Sequence, residues 1–82
     1  MSDNGIVNNG SDVVGILVYD ERGNILQYSG IGKSRKQDIT QLTMLPVDKD
    51  GFASVTDQSA GLKVSLYTKD QMTVVTYKKI VN

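Results

Sequence analysis

The sequence predicts an α+β fold, a small antiparallel sheet with one short helix, in the order strand, strand, helix and then a meander of three strands. Three observations carry that expectation. Val13 to Tyr19 is a nearly continuous apolar, β-branched run that passes through a glycine-closed turn into a second apolar run. A capping-box pattern, Ser34-Arg35-Lys36-Gln37, precedes apolar residues at spacings of three. Three further apolar runs follow, each set off by turn residues.

The first strand spans Asp12 to Tyr19, and its near-continuous hydrophobicity predicts an interior strand covered on both faces. Asp20-Glu21-Arg22-Gly23 fits a type I turn followed by a glycine in the left-handed region. Asn24 to Ser29 then returns as the second strand, with Ile25, Leu26 and Tyr28 as its apolar members. The helix is expected between Ser34 as N-cap and Leu45, with Asp38 near its first turn and Ile39, Leu42 and Leu45 as its apolar stripe. Pro46 ends it, because proline pushes Leu45 out of helical geometry. So short a helix, weakened by β-branched residues, exists only when packed. Asp48 to Gly51 is a turn, Phe52 to Val55 a short strand and Gln58 to Gly61 another turn. Leu62 to Tyr67 alternates, with Leu62, Val64 and Leu66 on one face, and Met72 to Tyr77 is the last strand.

Eighty-two residues make one small domain. Met1 to Ser11 is rich in Asn, Gly, Ser and Asp and reads as a flexible tail, which leaves residues 12–80 as the folded unit. Domains of this size commonly add a disulfide, a metal or a partner chain. The sequence has no Cys and no His, so disulfides, thiolate sites and histidine ligands are excluded and association is the remaining support. Nine basic and nine acidic residues cancel, which argues against nucleic acid as a partner. The basic clusters, Lys33, Arg35 and Lys36 with Lys78 and Lys79, read as solvated faces. No apolar run approaches a membrane span or a signal sequence, Ser2 does not support myristoylation, and the lack of Cys excludes palmitoylation and prenylation.

No catalytic, metal or cofactor site is expected. Gly30-Ile31-Gly32-Lys33-Ser34 ends like a phosphate loop, but Gln27 stands where that motif needs its first glycine, so the segment reads as a loop leading to the Ser34 cap. Asp48, Asp50 and Gly51 resemble the start of a calcium loop, yet Ser59 stands at the twelfth position, where a glutamate is required. These acids read as turn residues. Asp12, Asp20 and Glu21 are the nearest approach to paired carboxylates, and the turn pair is too exposed to tune a pKa. Tyr19, Tyr28, Tyr67 and Tyr77 fall on strands as packing residues, some of which rim an interface.

The stretches GILVYDERGNILQYSGIG, GFASV, LKVSLYTKD and MTVVTY, with the short helix around Asp38-Ile39, resemble the small roadblock-like subunits of the fungal vacuolar EGO complex. Those subunits are related to the hepatitis B X-interacting protein, and their complex to the Ragulator scaffold. The resemblance covers about Val14 to Tyr77. It implies a roadblock/profilin-like five-stranded antiparallel sheet in the order 2-1-5-4-3, truncated here because the leading amphipathic helix is missing and the middle one is short. It further implies a non-catalytic scaffold that pairs with another roadblock-type subunit and with a lipid-anchored subunit on the cytosolic face of the vacuolar membrane. Through that assembly it recruits Rag-type GTPases and promotes amino-acid signalling to TOR complex 1. Pairing through the edge strand and middle helix maps to Phe52, Ala53, Ser54 and Val55 and to the face carrying Ile39 and Leu42. Two other functions compete: a phosphate- or nucleotide-binding module on Gly30 to Ser34, and a free-standing regulatory domain of profilin or longin type.

Overall fold

The computed structural model describes residues 12–80, and in it five strands form one antiparallel sheet. They are β1 (Val13–Asp20), β2 (Ile25–Gly30), β3 (Phe52–Asp57), β4 (Leu62–Lys69) and β5 (Met72–Lys79), in the spatial order β2-β1-β5-β4-β3. This is the predicted class, with the strand order that the resemblance implied. The expected tail, residues 1–11, lies outside the described residues.

The β1–β2 turn forms as its residues dictate. The Gly23 N–H donates to the Asp20 carbonyl at 3.0 Å, and Gly23 has a φ of +83°, where a side chain would be strained. The Asp20 carboxylate accepts the N–H groups of Arg22 and Asn24 and the Asn24 side-chain amide. These bonds, the Asn24 amide's foremost, hold the Asp20 carboxyl below its ordinary range although the turn lies at the surface. The expectation of an unperturbed turn acid is corrected: local hydrogen bonds supply what burial does not.

Side chains alternate across the sheet. Leu17 and Tyr19 of β1, Leu62, Val64 and Leu66 of β4, and Val75 and Tyr77 of β5 are buried under the segment that joins β2 to β3. The expectation that β1 is covered on both faces is corrected. Ile16 and Val18, on its other face, are only half-buried, because the connecting segment supplies a layer to one side alone. Across that second face Val18, Val74, Tyr67 and Phe52 lie in register, with the Phe52 and Tyr67 rings stacked at 4.5 Å.

The expected helix is also corrected. Residues 31–42 form 3-10 turns at Ile31–Ser34 and Lys36–Asp38, then one α-helical turn, α1 (Ile39–Leu42). Ser34 caps nothing: its hydroxyl donates back to the Ile31 carbonyl at 3.1 Å. Arg35, with φ of −116°, separates the two 3-10 turns and is held there by ion pairs that outweigh a weak local capping signal. Beyond Leu42 the N–H groups of Thr43, Met44 and Leu45 still bond back to Ile39, Gln41 and Leu42 as turns, and the run stops directly before Pro46, as expected.

Candidate functional site

β3 is one edge of the sheet, and the direction of its backbone groups follows from three hydrogen bonds. The Gly51 carbonyl accepts the Thr68 N–H at 2.8 Å, so Gly51 faces β4. Phe52 faces the opposite way: its carbonyl accepts the Asp48 N–H at 2.9 Å and its N–H donates to Asp48 Oδ1 at 2.9 Å. Alternation along the strand then turns Ala53, Val55 and Asp57 toward β4 and Ser54 and Thr56 outward. Past Phe52, the edge presents two N–H groups and two carbonyls, with no charge or proline at Ser54 or Val55 to blunt it.

Beside this edge, on the helix-bearing face, lies a groove of about 450 Å³ between α1 and β3. Leu42, Val55 and Val64 give it an apolar floor. Tyr77, Val64 and Val55 form one row across β5, β4 and β3, and their exposure rises from 0% and 4% to 37%. The core row therefore runs out at the edge strand, where a further strand would continue it.

One end of the groove is closed by a polar cluster. Arg35 Nε bonds Asp38 Oδ2 at 2.7 Å, and its Nη2 bonds Asp57 Oδ2 at 2.8 Å. The Tyr77 hydroxyl donates to Asp38 Oδ2 at 3.1 Å, and the guanidinium lies 5.4 Å from the Tyr77 ring centroid. Asp57 also accepts the Ser59 hydroxyl and the Ala60 N–H. Arg35, then Ser59 and Ala60, hold the Asp57 carboxyl down to about 2. Burial, then the charge and hydrogen bond of Asp38, push the Tyr77 hydroxyl up to about 12. The cluster ties the helical segment to the end of the edge strand and fixes the width of the groove.

Of the six residues expected at an interface, Phe52 is 53% exposed, Ser54 and Val55 are exposed, and Ala53 and Ile39 are half-buried against the core. Leu42 differs. It is buried in the core under α1 and reaches a partner only through the groove floor. The reading of Arg35 as part of a solvated face is corrected, since it is ion-paired and partly buried. Its partners lie up to 42 positions away, so no local pattern announces them. Lys36 lies over the Tyr28 ring, with Nζ 4.3 Å from its centroid.

The phosphate-loop resemblance has a packing cause. Gly30 pairs with Gly15 across β1 and β2, and a Cβ on Gly32 would stand 2.1 Å from the Ile16 carbonyl oxygen. Glycines here let the connecting segment lie directly on β1. Asp48, one of the acids in the calcium-like pattern, uses its carboxylate on the N–H groups of Asp50 and Phe52.

Comparison with known proteins adds two findings. The YNR034W-A-like family model matches residues 6–79, beginning six residues ahead of the expected folded unit. The chain is also 36% identical to Protein EGO2 of Saccharomyces cerevisiae over 67 residues, which is 82% of this chain and 87% of that protein. The resemblance to the small EGO subunits is thereby borne out, and the chain belongs to the YNR034W-A-like family.

Proposed function

We propose that this chain is a non-catalytic scaffold subunit of the EGO complex. In this reading it pairs with a second roadblock-type subunit along the β3 edge and joins a lipid-anchored subunit at the cytosolic face of the vacuolar membrane. The assembly recruits Rag-type GTPases and promotes amino-acid signalling to TOR complex 1. Kinship with Protein EGO2 supports membership of the complex. Peripheral attachment accords with the absence, among the described residues, of a helix long and apolar enough to cross a membrane.

The observation that carries the pairing is the β3 edge itself. Outward amides and carbonyls at Ser54 and Thr56, unpaired among the described residues, lie beside a groove with an apolar floor, which together suit strand addition with side-chain insertion. The test is co-purification of tagged variants with the EGO subunits. Val55→Asp places a charge at a position already 37% exposed, so the fold survives while the apolar contact is lost. Retained full binding by folded Val55→Asp would remove the edge from the interface. Leu42→Asp is unsuited to this purpose, because a charge at so buried a position unfolds the domain.

A further inference from the structure

The edge of β3 is closed at one end by a side chain. Asp48 takes both outward groups of Phe52, donating its own N–H and accepting through Oδ1, and the same oxygen accepts the Asp50 N–H. Gly51 anchors this turn by donating its N–H to the Asp48 carbonyl at 3.0 Å. Asp48 thus occupies the place that the next residue of an added strand would take. At the far end Asp57 turns back toward β4, and its carboxylate is engaged by Arg35, Ser59 and Ala60.

We infer that Asp48 sets the register of strand addition: it closes the edge at Phe52, so that a partner strand bonds only Ser54 and Thr56 and lays one apolar side chain, opposite Val55, into the groove over Leu42. This rests on the proposed pairing along β3 and specifies the partner. It is an extended segment running antiparallel to β3, as every ladder of this sheet does, and its central residue shares the face of Val55, because directly opposed residues of an antiparallel pair point the same way. That residue continues the row of Tyr77, Val64 and Val55 and is apolar, to match the floor of the groove. Its two neighbours lie on the opposite face, with Ser54 and Thr56. A slip of one residue would turn the apolar side chain to the wrong face. A slip of two toward the Asp48 turn would set a partner carbonyl and N–H against groups already bonded.

Amide hydrogen exchange, read residue by residue by NMR, tests both levels separately. In the free chain the Phe52 amide is expected to exchange at least 10-fold more slowly than those of Ser54 and Thr56. In the complex with the co-expressed EGO subunits, Ser54 and Thr56 slow by at least 10-fold and Phe52 is unchanged. Asp48→Ala keeps the Asp48 backbone N–H on the Phe52 carbonyl but frees the Phe52 N–H, which becomes fast in the free chain and is slowed by a partner carbonyl, whereas Asp48→Asn, which keeps an acceptor oxygen, behaves as wild type. Unchanged exchange at Ser54 and Thr56 in a complex that co-purifies intact would refute pairing along β3. Slowing at Ser54 and Thr56, with Phe52 indifferent to Asp48→Ala in either state, would leave the pairing standing and refute the role of Asp48.

Discussion

Ser54→Pro removes a single N–H, and the alternation of β3 puts that N–H on the free side of the sheet. Within the chain nothing is lost, because Ser54 bonds outward while Ala53 and Val55 hold β4. Proline is tolerated on an edge strand whose N–H faces solvent, and it favours the extended geometry that Ala53 already has. The thermal midpoint of the free chain is therefore expected to move by less than about 4 °C, the shift that about 1 kcal/mol or less produces in a domain of this size. Pairing is affected far more. The partner loses one hydrogen bond, about 0.5–1.5 kcal/mol, and keeps a desolvated carbonyl with no donor, about 1–3 kcal/mol more. The sum, about 1.5–4.5 kcal/mol, is a loss of roughly 10- to 1,600-fold in affinity. Val55→Pro is the control, one residue along, because its N–H points to β4. It should lower the midpoint of the free chain by roughly 10–30 °C for the same loss taken inside the sheet. Thermal melts followed by circular dichroism, with titration of each variant against the co-purifying EGO subunits, give both quantities. An inverted pattern, with Ser54→Pro unfolding and Val55→Pro stable, would refute the strand alternation; full affinity in folded Ser54→Pro would refute the interface.

Gly32→Ala should destabilise the domain by about 1–3 kcal/mol, since its Cβ meets the Ile16 carbonyl at 2.1 Å and backbone must yield; an unchanged denaturation midpoint would contradict the close approach. Gly23→Val should cost more than about 1 kcal/mol through its φ of +83°, although its surroundings are open enough for the side chain, and urea unfolding measures it. The Asp57 carboxyl has a folded pKa of about 2 against an ordinary 3.8, so its contribution is complete above about pH 4 and fades as pH falls toward 2. Thermal melts across that interval should show a falling midpoint whose slope is reduced in Asp57→Asn, and an equal slope in both proteins would refute the ion pair.

The hairpin and β4 were legible in the sequence because their signals are local. A glycine after Asp20-Glu21-Arg22 and strict alternation at Leu62, Val64 and Leu66 depend on no distant residue. The connecting segment was not legible in the same way. Ser34 and Gln37 have the right types and spacing for a cap, but Arg35 finds Asp57 twenty-two positions away, and that tertiary pair decides the backbone. Leu42 illustrates a second limit. A spacing of three identifies an apolar face without saying whether the core or a partner receives it, and here the core does. The proposed interface was half visible: the uncharged stretch Phe52 to Val55 stands out, yet which residues bond outward depends on its register with β4. One long-range bond, from Thr68 to Gly51, fixes that parity.

The central place of β5 has a consequence for the order in which the domain acquires its structure. Among the described residues β5 comes last along the chain and lies between β1 and β4, so it joins two hairpins that have no ladder between them until it arrives. An isolated two-stranded hairpin is marginal in water. During synthesis, β1–β2 and β3–β4 therefore remain unconsolidated until Met72–Lys79 has left the ribosome, and then all five strands close together. The groove beside β3 forms in the same event, because its floor at Val64 and its polar end at Tyr77 both depend on β5. A partner that recognises the finished edge thus engages only chains that have been translated through β5.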